Sequence, residues 1–234
     1  MADQGVTLRW HGQSCITIVS LNETTVLVDP FEESIGYRLP DVEPDVVITT
    51  HRHYDHANVK GVRGNPRVLH GIGTDGAWVA IDETVGDVRL RTVGAYHDEV
   101  RGAKRGLVSI VIVETGGLHI VHCGDLGHIL TPDQVRAIGT VDVLLVPVGG
   151  VYTVAAAEAR EVVRQLAPQR AIIPIHYQTE PLTIKLDPLA PFLKGWRRVR
   201  PVESNEVRFE PGPVSPDPNR PEVIALHWRS HPQP

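Results

Sequence analysis

Four apolar runs in this chain each end in a histidine or an aspartate, and that recurrence limits its fold more than any other feature. VVITT leads into His51, LRTVGAY into His97, HIVHCG into Asp125 and AIIPI into His176. Short runs of this kind, rich in β-branched residues, read as buried strands. Strands of one sheet that finish on the same side deliver their last residues into a common mouth. Positions far apart in the chain can then build one site.

Strands are expected at Thr7–Trp10, Ser14–Val19, Thr25–Val28, Val46–Thr49, Arg67–His70, Val88–Val93, Val108–Glu114, His119–His122, Val143–Pro147 and Ala171–Ile175. Helical spacing is clear in Val154–Leu166, where Ala155, Ala159, Val162, Val163 and Leu166 share a face. A second, short helix is expected at Leu189–Lys194. Turns fall at Asp29-Pro30, Gly64-Asn65-Pro66, Gly116-Gly117 and Gly149-Gly150. Helices set between more numerous strands favour an α/β chain, with two sheets packed together and helices outside, over a closed barrel.

Length favours one domain, since 234 residues can bury roughly 70% of the surface the unfolded chain exposes. The proline-rich Glu210–Pro221 reads as an extended connection. Residues 1–209 are therefore taken as the folded domain and 210–234 as a C-terminal extension. Its strand-like EVIALHW would pack on the domain edge or a neighbouring subunit, or hang as a loosely held tail.

Cys15 and Cys123 lie far apart and outside any C-x-x-C, which suits reduced, buried thiols of a cytosolic protein. The start, MADQGVTLRW, lacks a basic segment followed by an apolar stretch, and no run approaches the roughly 18 apolar residues of a membrane helix. A cytoplasmic location follows as the expectation. A net charge of -5 and a pI near 6.2 weigh against a broad basic face for nucleic acid or an anionic membrane. The expected partner is a small-molecule substrate, with homo-oligomerisation left open.

The chemistry concentrates in Thr50-His51-Arg52-His53-Tyr54-Asp55-His56, an H-x-H-x-D-H motif. His51 and His53 alternate along an extended loop, so both imidazoles can reach one ion. Asp55 and His56 follow closely enough to turn toward a second. Neutral imidazole with carboxylate suits zinc, and also manganese or iron.

With this motif stand W-x-G-x-S (Trp10, Gly12, Ser14), the strand-end Asp29-Pro30, HCGDLGH at His122–His128, LLVPVGG at Leu144–Gly150 and PIHY at Pro174–Tyr177. Together they resemble the metallo-β-lactamase superfamily over about Val6 to Gln178. They are most similar to the branch containing ascorbate-6-phosphate lactonase and many metal-dependent hydrolases. The resemblance implies an αβ/βα four-layer sandwich with two divalent metal ions at the edge between the sheets. It implies His51, His53 and His97 on the first ion, Asp55, His56 and His176 on the second, and Asp125 bridging both. Zinc comes first among the metals, then manganese or iron.

Two such cations can lower the pKa of a shared water toward neutrality. The expected activity is therefore hydrolysis of an ester, lactone or phosphodiester by a metal-bridged hydroxide, with Asp55 also orienting the water. His128, three residues after Asp125, is a candidate for a catalytic role toward substrate or ligand. Asp29 would orient a ligand imidazole from behind. His11, His70, His119, His122, His227 and His231 are read as structural or surface residues. Arg52, Tyr54, Lys104, Arg105, Tyr152 and Tyr177 are candidates for substrate contact, the basic ones suiting an anionic group. β-Lactam hydrolysis is disfavoured, because there is no export signal and an aspartate stands where several such enzymes carry a cysteine ligand. A di-iron redox protein and a metal-stabilised binding protein are the alternatives on the same fold.

Overall fold

The structure is a computed structural model and describes residues 5–212 and 221–229. Two sheets face each other. The first holds β1 (Val6–Trp10), β2 (Ile16–Val19), β3 (Thr25–Val28), β4 (Val46–Thr49) and β5 (Arg67–His70), with β13 (Glu206–Phe209) beyond β1. The second runs β12 (Val199–Pro201), β14 (Glu222–Ala225), β11 (Ala171–Ile175), β10 (Val143–Pro147), β9 (Leu118–His122), β8 (Leu107–Thr115), β7 (Val88–Tyr96), β6 (Asp82–Val85). The two-sheet α/β sandwich is the expected architecture. Every expected strand forms, with β2 starting at Ile16 and β7 running on to Tyr96.

Side-chain alternation decides what each sheet buries. Val26 and Val28 of β3 and Val46 and Ile48 of β4 point into the core between the sheets, among Ile110, Ile112, Leu145 and Ile173. Leu27 and Val47, one position out of phase, face the other way. There Phe31, Ile35, Tyr37, Leu182 and Leu186 cover them, so segments without α-helix cap that face. The α-helices serve the second sheet. Helix α1 (Pro132–Ile138) packs on β7, α2 (Ala156–Leu166) on β10, and α3 (Ala190–Leu193) on α2. Helix α2 buries Ala159, Val162, Val163 and Leu166, the face its spacing foretold. Among the described residues no helix is long and apolar enough to cross a membrane.

Strand direction positions the site. β7 is antiparallel to β8, which is antiparallel to β9, while β9, β10 and β11 are parallel. β7, β9 and β11 therefore run the same way and release His97, Asp125 and His176 at one edge. In the first sheet β3, β4 and β5 are parallel, so Asp29 and His51 leave β3 and β4 together.

Cys15 and Cys123 are free and buried. Burial pushes the Cys123 thiol up to about 12 and that of Cys15 well above its ordinary value, which removes the thiolate from their chemistry.

The C-terminal segment packs on the second sheet, one of the alternatives its sequence left open. Glu222–Ala225 is an inner strand, parallel to β11 on one side and β12 on the other, with Val223 and Ile224 fully buried. An apolar pair in a sheet interior holds better there than at an edge. Most of Glu210–Pro221, and His231, lie outside the described residues. Ile224→Ala tests the docking: removing a buried isoleucine side chain should cost about 3 kcal/mol, read by urea unfolding. A change near zero would mean that this strand is loosely held.

Candidate metal centre

All seven histidines and aspartates expected as ligands meet at one edge of the sandwich. His51, His53 and His97 bring ligand atoms within 4.8 Å of one another, and Asp55, His56, Asp125 and His176 do the same. The Asp125 carboxylate stands at the centre. Its Oδ2 lies 3.3 Å from His97 Nε2, 3.2 Å from His176 Nε2 and 3.9 Å from His51 Nε2. Its Oδ1 lies 3.2 Å from His56 Nε2, which is also 3.3 Å from Asp55 Oδ2. His51 Nε2 and His53 Nδ1 are 3.0 Å apart. Six of the seven residues are buried, and His53 alone opens to solvent.

The local backbone is shaped for this convergence. Gln13, Asp29 and His176 all have left-handed φ values, at 50°, 51° and 51°. Each costs roughly 1–3 kcal/mol and persists only where surrounding bonds hold it. His176 donates its N–H to the Gln13 carbonyl at 3.0 Å, and the Trp10 indole donates to the same carbonyl. Gly124 has φ +52, and a Cβ there would fall 2.8 Å from Thr50 Oγ1, so only glycine lets the Asp125 turn settle against β4.

Asp29 holds two ligand rings from behind. Its Oδ1 accepts from the Thr50 N–H at 2.7 Å, and its Oδ2 from Thr50 Oγ1 at 2.7 Å and His56 Nδ1 at 2.9 Å. Because the Thr50 hydroxyl donates to Asp29, it accepts from His51 Nδ1, 2.9 Å away. With a metal bound, both rings would keep their proton on the outward Nδ1 and offer Nε2 to the ion. Gln13 and Thr50 are supporting residues that the sequence did not announce. Gln13 Nε2 donates to Asp55 Oδ2 at 2.9 Å, and Ser14 Oγ lies 3.4 Å from Asp125 Oδ1.

Charge inside this cluster needs a cation. Asp29, Asp55 and Asp125 are buried, and the charged partners they have are histidines. Burial pushes His51 well below its ordinary pKa, reinforced by the charge of His56, and His53 shifts down with burial and His97. Those rings are neutral, as ligands must be. Burial would lower His56 too, but Asp125 and Asp55 outweigh it and raise the ring well above the usual range. Burial likewise opposes ionisation of Asp125, and His176 with His56 overcomes it. His56 Nε2 is buried and lacks a hydrogen-bond partner despite its two carboxylate neighbours. An imidazole nitrogen left so, beside two carboxylates, is the arrangement a metal completes, and the N/O donor set fits zinc, manganese or iron.

His128 is not brought into this cluster. Its Nε2 accepts from the Tyr96 N–H at 3.2 Å and its Nδ1 faces the Ile129 carbonyl at 2.7 Å. Both ring nitrogens face backbone groups. Tyr177 is buried against Trp10, with ring centroids 5.2 Å apart, and is a packing residue. Arg52 Nε donates to the carbonyls of Ile72 and Gly73, both at 3.0 Å, and Lys104 pairs with Glu99. Tyr54 and Tyr152 stay exposed.

Known proteins share this fold. The family model for the beta-lactamase superfamily domain matches residues 7–176. A UPF0173 metal-dependent hydrolase of Methanoregula boonei is 30% identical over 189 residues, 74% of this chain and 82% of its own. Its counterpart in Thermoplasma volcanium is 29% identical over 201 residues, 79% and 88% of the two chains. A crystal structure from Thermotoga maritima, of a protein ascribed to the zinc-dependent hydrolases of the metallo-β-lactamase superfamily, aligns with a TM-score of 0.72. It is 33% identical and covers 94% of this chain and 98% of that one.

Asp29→Asn isolates the support behind the rings. Asparagine accepts a left-handed φ, so the turn survives, but its amide cannot accept from all three donors. Zinc affinity should fall about 10- to 100-fold, measured by chelator competition. An unchanged affinity would remove Asp29 from the positioning of His51 and His56.

Proposed function

The chain belongs to the beta-lactamase superfamily domain family and is a metal-dependent hydrolase of the metallo-β-lactamase superfamily; on that premise we propose that it hydrolyses an anionic ester, lactone or phosphodiester at a two-metal site. One observation carries the proposal: the two oxygens of Asp125 face different imidazoles, Oδ1 toward His56 and Oδ2 toward His97 and His176. A carboxylate so flanked can serve two cations at once. His51, His53 and His97 would hold the first, and Asp55, His56 and His176 the second, with Asp125 shared. Zinc is the metal of choice, with manganese or iron as substitutes.

When bound, the cations supply Lewis acidity, lowering the pKa of water toward neutrality and polarising the scissile group's oxygen. The chain does the rest. Gln13 fixes Asp55 Oδ2 and so sets the carboxylate that orients the attacking water. Asp29 and Thr50 lock the tautomers of His51 and His56. Buried strand ends keep bulk water off most of the cluster, and the exposed edge at His53 and Tyr54 admits substrate. No serine nucleophile is required, and Ser14 Oγ is turned toward Asp125. The resemblance to the lactonase branch makes lactones one arm of any substrate search. A cytoplasmic setting and a small-molecule substrate complete the proposal.

Metal-replete protein should contain close to two transition-metal ions per chain by elemental analysis, and a content well below one would sink the two-metal site. A panel of lactones, phosphodiesters, thioesters and carboxylic esters then identifies the bond cleaved. Asp125→Asn keeps the side chain's size and removes the charge that two cations share. It should lower turnover by more than about 100-fold while thermal unfolding changes little. Full metal content with unchanged turnover would take Asp125 out of the bridging role.

A further inference from the structure

Three basic side chains flank the mouth in sequence, and the structure separates them. Arg52 is tied to the carbonyls of Ile72 and Gly73, and Lys104 to Glu99. Arg105 is placed otherwise. Asp98, the residue after His97, accepts four backbone N–H groups: Val100 and Gly102 on Oδ1, Lys104 and Arg105 on Oδ2, at 2.7–2.9 Å. That carboxylate rolls residues 98–105 into a tight loop leading out of the His97 ligand position. The loop turns Arg105 toward the segment after β10, where its Nη2 donates to the Val151 carbonyl at 2.9 Å. Its guanidinium carbon lies 5.5 Å from the centre of the Tyr152 ring.

Val151 and Tyr152 belong to the mouth on the other side. Gly149, just before them, sits so close to His176 that a Cβ would fall 2.3 Å from the His176 carbonyl oxygen. Arg105 therefore spans the exits from two ligand positions, His97 and His176. Among the described residues, Arg105 Nε and Nη1 have no protein partner. A half-buried guanidinium held by one arm, with two more donor nitrogens uncommitted between the loop after His97 and the segment after β10, suits an oxyanion accepted in paired geometry.

We propose that Arg105 is the specificity-determining residue of this hydrolase: it binds a carboxylate or phosphate group of the substrate, while the exposed Tyr54 and Tyr152 pack the apolar part beside it. The inference rests on the hydrolase reading and deepens its anionic-substrate element.

The test compares metal-loaded wild type with Arg105→Gln, Arg105→Lys and Lys104→Ala. The first arm measures kcat/KM on a 4-nitrophenyl glutarate monoester and on its neutral methyl-capped analogue. The second measures binding of benzoate and of phenylphosphonate, neither of which carries an ester to cleave, by calorimetry. Arg105→Gln should lose about tenfold or more on the anionic ester, through KM, with the neutral ester nearly unaffected. It should weaken the oxyanion that wild type prefers by a similar factor, and Arg105→Lys should recover part of both losses. Equal losses on the two esters would make Arg105 only a tie between loops and overturn the proposal. So would a Lys104→Ala loss as large as that of Arg105→Gln. Hydrolysis without oxyanion binding in wild type would overturn the assignment while leaving the hydrolase reading standing. Binding that depends on Arg105, without hydrolysis of any panel substrate, would do the reverse.

Discussion

Negative charge placed in a dry interior is the constraint on which the rest of this protein depends. Asp29, Asp55 and Asp125 are buried at one edge of the sandwich and meet imidazoles rather than Lys or Arg. Removing carboxylates from water without compensation is far costlier than any single packing interaction can offset. Neutral histidines cannot supply the compensation, so the cluster relies on protonation of His56 or on bound cations. The surrounding chain looks built for the second outcome. Asp29 and Thr50 orient rings by their outward nitrogens, Gln13 pins one carboxylate oxygen, and three non-glycine residues accept left-handed backbone to complete the geometry.

The fold serves this constraint through strand direction. A parallel run such as β9, β10 and β11 collects its C-terminal ends on one side, and the two antiparallel steps from β9 to β7 return His97 to that side. The first sheet contributes its own parallel set, so Asp29, His51, Asp55 and His56 face the products of the second sheet across the gap. One sheet alone would present half the ligands. Packing energy between the sheets therefore doubles as the force that assembles the site. A loss of core packing in Ile48 or Ile173 would be felt in metal affinity as well as in stability.

The convergence of the seven candidate ligands was legible in the sequence because coordination chemistry accepts few residue types, and strand-end histidines are conspicuous. The sandwich was legible because its central strands are long enough in apolar residues to show. β6, β12 and β13 were not, since they are short edge or near-edge strands carrying exposed polar residues. Helix α1 was missed for its length, although Thr131-Pro132-Asp133-Gln134 spells a capping box with proline at its first position. Gln13 and Thr50 gave no signal, because a supporting amide or hydroxyl looks like any other until the fold sets it beside a carboxylate. Lys104 and Arg105 are neighbours with the same charge, and only the loop wound around Asp98 tells them apart.

The way the chain closes its two sheets bears on its birth. β13 supplies the outer partner of β1, the first strand in chain order among the described residues, and β14 supplies the partner of β11. Until those late residues have left the ribosome, each sheet presents a bare strand edge of the kind that recruits other chains. A nascent chain stalled before Glu206 would already own every candidate ligand, yet would hold them on an unfinished scaffold exposed to aggregation.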